Sequence, residues 1–250
     1  MYYMNIVCIG GGDKNAAIDH SLDLSGMEHP QVLLIPTACS LQSSYDRKVG
    51  SLSKFFADKG LTTKILHEFG EKPGADRLAH SLGEASLIYT IGGNTPYLLN
   101  RMEASGIDTA LREAVMGGKV HVGTSAGALL PFARIHSNPS NNPGNEDWNF
   151  AYYDGLGILS GVATAHANVH DKTPIGQRTD SRLENLIATF PLQMPYGVAI
   201  DNGISLVFGH EPAIIRADPQ DTARAYLLNP HENGTIQKIE LTDPGQLANL

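Results

Sequence analysis

The sequence is poor in cysteine, in basic residues and in long apolar segments, and each shortage excludes a class of protein. Two cysteines in 250 residues cannot form a disulfide framework, so we expect Cys8 and Cys39 to be buried apolar residues of strands. Lysine and arginine number 18 against 26 acidic residues, giving a formal net charge of −8 without any block of like charge. Nucleic-acid and membrane-surface proteins depend on clustered Lys and Arg, so neither partner is expected.

Apolar runs stay far below the ~20 residues that a transmembrane helix requires. The first residues also lack the basic and apolar segments of a signal peptide, which favours a cytoplasmic location. A chain of this length buries about three quarters of its unfolded surface without a metal or disulfide to stabilise it. We therefore expect no metal and no other cofactor.

Short apolar runs that end in glycine or proline alternate with amphipathic segments through the first half of the chain. This alternation predicts βαβ units, a mostly parallel central sheet and helices on both of its faces. Short strands with turn residues toward the C-terminus predict antiparallel pairing there. We therefore predict one three-layer α/β domain over residues 1–250. The predicted strands are 5–9, 32–35, 87–91, 119–122 and 161–165, the predicted helices are 45–59, 96–105, 108–116 and 178–189, and 137–149 is a predicted exposed loop.

The segment Gly123-Thr124-Ser125-Ala126-Gly127 has the pattern of a nucleophile elbow. It follows a predicted strand and precedes the apolar, helix-compatible residues 128–133, which is the context that a sharp strand-to-helix turn requires. Ser125 is therefore a candidate nucleophile. The N–H of Ala126 is a candidate donor to an oxyanion. An ordinary glycine-rich turn is the alternative.

Glycine turns follow two further predicted strands, and strand ends of an open α/β sheet collect ligands. Gly92-Gly93 can supply a second oxyanion donor, and Asn94 either orients a substrate or caps the next helix. The run 10–12 departs from a dinucleotide fingerprint because Asn15 stands where a third glycine belongs, so we interpret it as a tight turn.

A serine nucleophile needs a base, and the position of His166 favours it among ten histidines. His166 directly follows the predicted strand 161–165, at a carboxyl end, and His170 is held in reserve.

The ordered set of Gly92-Gly93-Asn94-Thr95, the elbow around Ser125, and Gly155-Leu156-Gly157-Ile158-Leu159 leading to His166 resembles the peptidase E and cyanophycinase family of serine peptidases. The stretch 197–203 is also similar to that family. The resemblance implies a fold related to class I glutamine amidotransferases, with serine in place of their cysteine. It implies Ser125 as nucleophile, His166 as base, and hydrolysis of a peptide bond next to an aspartyl residue.

The resemblance also implies further site residues. The N–H groups of Gly93 and Ala126 would form the oxyanion hole. An arginine on the helix after the histidine would bind the substrate carboxylate; Arg178 fits that spacing better than Arg182, and a guanidinium can bind both carboxylate oxygens.

A catalytic triad adds to Ser125 and His166 a third residue that orients the histidine, and this third residue departs from the family pattern. Some relatives have Glu at the position matching Asn202, whereas others use an acid in the loop after the serine helix. Here Asp201 adjoins the neutral Asn202, and we select Asp201 while Asn202 stays open. The loop acids that also stay open are Glu146, Asp147 and Asp154.

Two other functions remain open from the sequence. An α/β-hydrolase-type esterase would need Asp201 with His210 or His231, and a binding or regulatory relative would follow from the loss of an acid at Asn202. The expected partner is a small peptide substrate. The oligomeric state is open, with a homodimer as one alternative.

Overall fold

The computed structural model describes residues 4–138, 150–172, 178–218, 220, 222–248 and 250. In chain order the described strands are β1 (Asn5–Ile9), β2 (Val32–Ile35), β3 (Thr63–Ile65), β4 (Leu87–Thr90), β5 (Val120–Thr124), β6 (Phe132–Ser137), β7 (Ala151–Asp154), β8 (Leu159–Ala165), β9 (His170–Lys172), β10 (Arg178–Ser181), β11 (Gly197–Ile200), β12 (Ile204–Phe208), β13 (Ala213–Arg216), β14 (Ala225–Pro230) and β15 (Ile236–Glu240). The described α-helices are α1 (Asn15–Leu24), α2 (Gln42–Asp58), α3 (Ala75–Glu84), α4 (Thr95–Ser105), α5 (Ile107–Met116), α6 (Ala126–Leu129) and α7 (Arg182–Ala188), and a 3₁₀ turn covers Pro244–Leu247.

The larger sheet has the strand order β13-β12-β1-β5-β4-β2-β3. The five neighbouring strands β1, β5, β4, β2 and β3 are parallel to one another, whereas β12 and β13 are antiparallel additions at one edge. The predicted mostly parallel sheet with antiparallel strands toward the C-terminus is therefore confirmed.

Alternate residues of β1 enter different cores, which shows that both faces of the larger sheet are covered. Ile6 and Cys8 belong to one apolar cluster, and Val7 and Ile9 belong to another. The first cluster includes residues of α3, α4 and α5, and the second includes residues of α1 and α2. Strands buried on both faces explain why these runs are continuously apolar rather than alternating.

A second sheet, with the order β15-β14-β11-β8-β6-β7, was not predicted. Among its described strands, β6–β8 and β8–β11 are the parallel pairs. Ile135 and Ala163 of this sheet join the same apolar cluster as Ile6, so it packs against a face of the larger sheet. The antiparallel pairs β6–β7, β11–β14 and β14–β15 complete it.

Two predicted helices differ from the structure. Residues 128–133 are not one helix, because α6 ends at Leu129 and Phe132 begins β6, where its side chain is fully buried. The predicted helix 178–189 begins only at Arg182. Its start is fixed by Ser181, whose Oγ accepts the Glu184 N–H at 3.2 Å while the Glu184 carboxylate accepts the Ser181 N–H at 2.7 Å.

The cysteines are both buried and reduced, with Cys8 in β1 and Cys39 in the turn after β2 rather than in a strand. Within the described residues, no helix combines the length and the apolar character needed to cross a membrane. Of the predicted loop 137–149, Ser137 ends β6 and is buried, and residues 139–149 lie outside the described part.

Candidate active site

Ser125 lies in a strained turn between β5 and α6. Its φ of 55° and ψ of −120° are unusual for a residue with a side chain, and its N–H donates to Ile9 O at 3.0 Å. A Cβ on Gly123 would lie 2.1 Å from Gly127 O, and one on Gly127 would lie 2.3 Å from Thr90 O. The two glycines of the pattern are therefore required by close backbone packing around the serine.

His166 follows β8 and faces Ser125. Its Nε2 lies 2.7 Å from Ser125 Oγ, and its backbone N–H donates to Gly10 O at 3.1 Å. Among the described residues other than glycine, only Ser125 and His166 have a positive φ, and both values are 55°. Backbone strain of this kind persists where the surrounding structure enforces it, and it concentrates at functional sites.

Asn202 holds the other side of the His166 ring. Its Oδ1 lies 2.5 Å from His166 Nδ1, and its backbone N–H donates to Asn168 Oδ1 at 3.1 Å. An amide oxygen only accepts, so this contact places the ring proton on Nδ1. Nε2 is then unprotonated and can accept the Ser125 hydroxyl proton.

Asp201, the first choice for the third position, has a different contact. Its Oδ2 accepts the Arg224 N–H at 2.9 Å, and the residue is buried. Successive residues of the turn after β11 point to different sides, and the Asn202 side chain reaches Nδ1. The alternative Asp154 is exposed and paired with Arg134, and Glu146 and Asp147 lie outside the described residues.

Gly11 explains the glycine run that follows β1. A Cβ at this position would lie 2.0 Å from Asn202 Oδ1 and 2.5 Å from both Cε1 and Nδ1 of His166. The imidazole and the amide therefore pack directly on the Gly11 backbone. The Gly203 N–H donates to Gly11 O at 2.9 Å, which fixes this turn against the one that holds Asn202.

The two expected oxyanion donors lie beside Ser125. Ala126 is the first residue of α6, and Gly93 lines the same cleft as Ser125. The described part contains no acceptor for the N–H of Ala126 or of Gly93. A Cβ on Gly92 would lie 2.8 Å from the Ser125 Cβ, so the 92–93 backbone contacts the serine.

Asn94 performs one of the two roles that its position allowed. Its Oδ1 accepts the Tyr97 N–H at 2.8 Å, and Pro96 follows within the first turn of α4. Asn94 therefore caps this helix, and the residue is buried. Substrate orientation by Asn94 stays a prediction.

Three cations that sequence analysis missed line the cleft around Ser125, which has a volume of about 410 Å³. They are Lys14, just before α1, and Arg47 and Lys48 on α2, and the described residues of this lining include no Asp or Glu. None of the three takes part in an ion pair with a described residue. Burial is the main reason that the pKa of Lys48 lies below its usual value, and the charges of Arg47 and Lys14 lower it further.

The spacing of Lys48, Ser51 and Leu52 is the signal that could have found the α2 cations. These residues lie three and four positions apart, so they share one face of α2, and all three line the cleft. Arg178, the expected carboxylate ligand, lies in β10 rather than on a helix, and its side chain is outside the described part.

Two other histidines, His121 and His136, are buried and have packing roles. Burial lowers the pKa of His121 and of His136 to about 4, and each bonds a buried threonine, Thr90 and Thr164 respectively. His170 is in β9, opposite Ser181. The esterase alternative required His210 or His231 as the base, whereas the imidazole that contacts Ser125 belongs to His166.

Comparison with known proteins finds sequence relatives that are named as peptidases. An uncharacterized peptidase of Pasteurella multocida is 23% identical over 207 residues, covering 80% of this chain and 92% of the relative. An uncharacterized peptidase of Listeria innocua is 25% identical over 150 residues, covering 58% of this chain and 68% of its own. Peptidase E of Streptomyces coelicolor is 31% identical over 133 residues, covering 51% of each chain.

Solved structures share the fold at low sequence identity. The crystal structure of a peptidase from an acI-B1 actinobacterium superposes with a TM-score of 0.67 at 17% identity, over 97% of this chain and 96% of that one. A putative peptidase E protein from Listeria monocytogenes gives a TM-score of 0.60 at 18% identity, over 86% of this chain and 100% of that one. The model of peptidase family S51 matches residues 6–216. The chain therefore belongs to peptidase family S51.

Proposed function

We propose that this family member is a serine peptidase that cleaves a peptide bond next to an aspartyl residue through an acyl-enzyme at Ser125. The observation that carries the proposal is the hydrogen-bonded series Ser125 Oγ, His166 and Asn202, with distances of 2.7 and 2.5 Å, beside a cleft lined by cations. Nucleophile, base and orienting group are thus within reach of one another, as covalent catalysis requires.

The chemical steps follow from these contacts. His166 Nε2 accepts the Ser125 proton as Oγ attacks the substrate carbonyl carbon, and the N–H groups of Gly93 and Ala126 hydrogen-bond the oxyanion. The C–N bond then breaks, and His166 gives its proton to the leaving amine. Water, deprotonated by His166, attacks the acyl carbon and releases the carboxylic acid and Ser125.

The positive lining of the cleft supports an acidic substrate. Lys14 and Arg47 carry charges that no described carboxylate neutralises, although the protein as a whole has a net charge of −8. A guanidinium can bind a carboxylate through two parallel hydrogen bonds. We therefore assign recognition of the substrate carboxylate to Arg47 and Lys14, with Arg178 as a further candidate.

Substrate choice is tested by comparing Asp-X and β-aspartyl dipeptides with the isosteric Asn-X dipeptides. We expect kcat/KM to favour Asp-X by about 10-fold or more, since a hydrogen bond to a charged group contributes roughly 1.5–3 kcal/mol. The variant Arg47→Met should lower this ratio mainly by raising KM for Asp-X. Equal kcat/KM for Asp-X and Asn-X in the wild type would contradict aspartyl specificity, and a panel of short-chain esters tests the esterase alternative.

Asn202 favours a second candidate, a relative with weakened catalysis. A neutral amide orients His166 but stabilises the imidazolium less than a carboxylate does. We expect Asn202→Asp, which retains an acceptor at the same chain length, to raise kcat by about 5- to 10-fold, because a charged hydrogen bond is roughly 1 kcal/mol stronger than a neutral one.

A variant without the Asn202 acceptor is the matched comparison for Asn202→Asp. Asn202→Leu should lower kcat by about 100-fold or more, since His166 then loses the group that fixes its tautomer. Steady-state kinetics of both variants measure these changes. Unchanged kcat in Asn202→Leu would show that this contact does not contribute to catalysis.

A further inference from the structure

Lys48 contacts the backbone of the turn that follows β4. It projects from α2 into the wall of the cleft, is partly buried, and donates from Nζ to Gly92 O at 2.5 Å. The ammonium thus contacts a main-chain carbonyl group two residues before the helix cap Asn94. This contact has no part in the steps described above.

The peptide unit that links Gly92 to Gly93 connects the Lys48 contact to the Gly93 N–H. The described chain contains no cis peptide bond, so the Gly92 carbonyl and the Gly93 N–H point in opposite directions across a planar unit. When Lys48 fixes the carbonyl, it also fixes the direction of the Gly93 N–H. Electron density drawn toward the ammonium makes that N–H a stronger hydrogen-bond donor, as in other hydrogen-bonded chains.

The rest of the turn is held on both sides of this unit. The Ile91 N–H donates to Ile35 O at 3.0 Å, and the Asn94 N–H donates to Ala38 O at 2.9 Å. Gly93 lies so close to Ala38 that a Cβ would come within 2.2 Å of the Ala38 carbonyl oxygen. The Gly93 N–H is thus fixed in place beside Ser125 and has no acceptor among the described residues.

We propose that Lys48 is a positioning residue of the oxyanion hole, which orients and polarises the Gly93 N–H by holding the Gly92 carbonyl. The inference rests on the proposed acyl-enzyme at Ser125. Lys48 acts through the peptide unit and does not touch the reacting atoms. An oxyanion donor is effective because its orientation is set before charge develops, and the Lys48 contact supplies that orientation.

The alternative role for Lys48 is direct binding of an acidic substrate, and the two roles affect different kinetic constants. A group that binds substrate and transition state equally changes KM, whereas one that acts on the transition state changes kcat. We expect Lys48→Met to lower kcat by about 10- to 50-fold with little change in KM, below the roughly 100- to 1000-fold loss that follows removal of an oxyanion donor. Lys48→Arg, which can still reach the carbonyl, should recover a large part of kcat.

The experiment measures kcat and KM on an Asp-X dipeptide, together with inhibition by a peptide aldehyde that forms a tetrahedral adduct. Affinity for the aldehyde should fall in Lys48→Met in proportion to kcat/KM. Lys54→Met is the matched control, since Lys54 lies on the same helix, is exposed and pairs with Asp58, and we expect wild-type kinetics from it. If Lys48→Met does not fold, Lys48→Gln replaces it.

Separate results overturn the inference and the proposed function. If the wild type forms the covalent adduct at Ser125 but Lys48→Met retains the wild-type kcat, or loses activity only through KM, Lys48 does not position the oxyanion hole. If the wild type forms no adduct at Ser125, the proposed function itself fails.

Discussion

Ser125→Ala should lower kcat for peptide hydrolysis by about 10⁴-fold or more, because removal of a serine nucleophile leaves only binding and oxyanion stabilisation. The reason is local. The Oγ is the atom that His166 Nε2 contacts at 2.7 Å, and alanine provides nothing in its place that can form an acyl-enzyme. Alanine has the same Cβ as serine, so the turn with φ of 55° is not strained further. We therefore expect the variant to fold like the wild type.

The measurement is steady-state hydrolysis of Asp-X dipeptides, with the thermal unfolding midpoint recorded for each variant. Ser43→Ala, an exposed position on α2, is the control and should have wild-type activity. Retention of more than about a tenth of the wild-type kcat by Ser125→Ala would exclude nucleophilic catalysis by this residue.

Gly11→Ala should lower kcat/KM by about 100-fold or more, although Gly11 has no side chain with which to take part in the reaction. The new Cβ would meet Asn202 Oδ1 at 2.0 Å and the His166 ring at 2.5 Å, so one or both groups must move. A displacement of about 1 Å in a catalytic group can cost roughly 100-fold in rate. The Gly11 φ of 146° adds backbone strain, and overpacking adds about 1–3 kcal/mol of lost stability.

Gly26→Ala separates backbone strain from displacement of the site. Gly26 has a φ of 63°, but a Cβ there would have no atom within 4 Å. We expect Gly26→Ala to lose about 1 kcal/mol of stability and no activity. We compare kcat/KM and urea unfolding in Gly11→Ala and Gly26→Ala, and loss of activity in Gly11→Ala alone identifies displacement of the site as its cause. Wild-type kcat/KM in Gly11→Ala would show that the observed packing of His166 and Asn202 is not needed for hydrolysis.

The pair Ser125 and His166 could be predicted from the sequence because local signals mark both residues. Each lies at the carboxyl end of a buried apolar run, where glycines or a strand end define the turn. The strands β1, β2, β4 and β5 of the larger sheet were predictable for the same reason, since they are short apolar runs that stop at glycine or proline, whereas the polar, three-residue β3 was not predicted. The structure adds that both residues have a φ of 55°, which no sequence pattern specifies.

The rest of the site depends on contacts between segments far apart in the chain. The side chain that reaches His166 Nδ1 is decided by the conformation of one turn, and a shift of one residue separates Asn202 from Asp201. The cations at 14, 47 and 48 converge only when α1 and α2 pack beside the end of β1. The second sheet likewise depends on the long-range pairing of β6 with β8 and β11.

Covalent labelling with a fluorophosphonate, followed by peptide mass spectrometry, tests whether Ser125 attacks with the help of His166. We expect one adduct on the wild type, located at Ser125, absent from Ser125→Ala and formed far more slowly in His166→Ala. An adduct on a different residue, or an actively hydrolysing wild type that takes up no label, would contradict attack by Ser125.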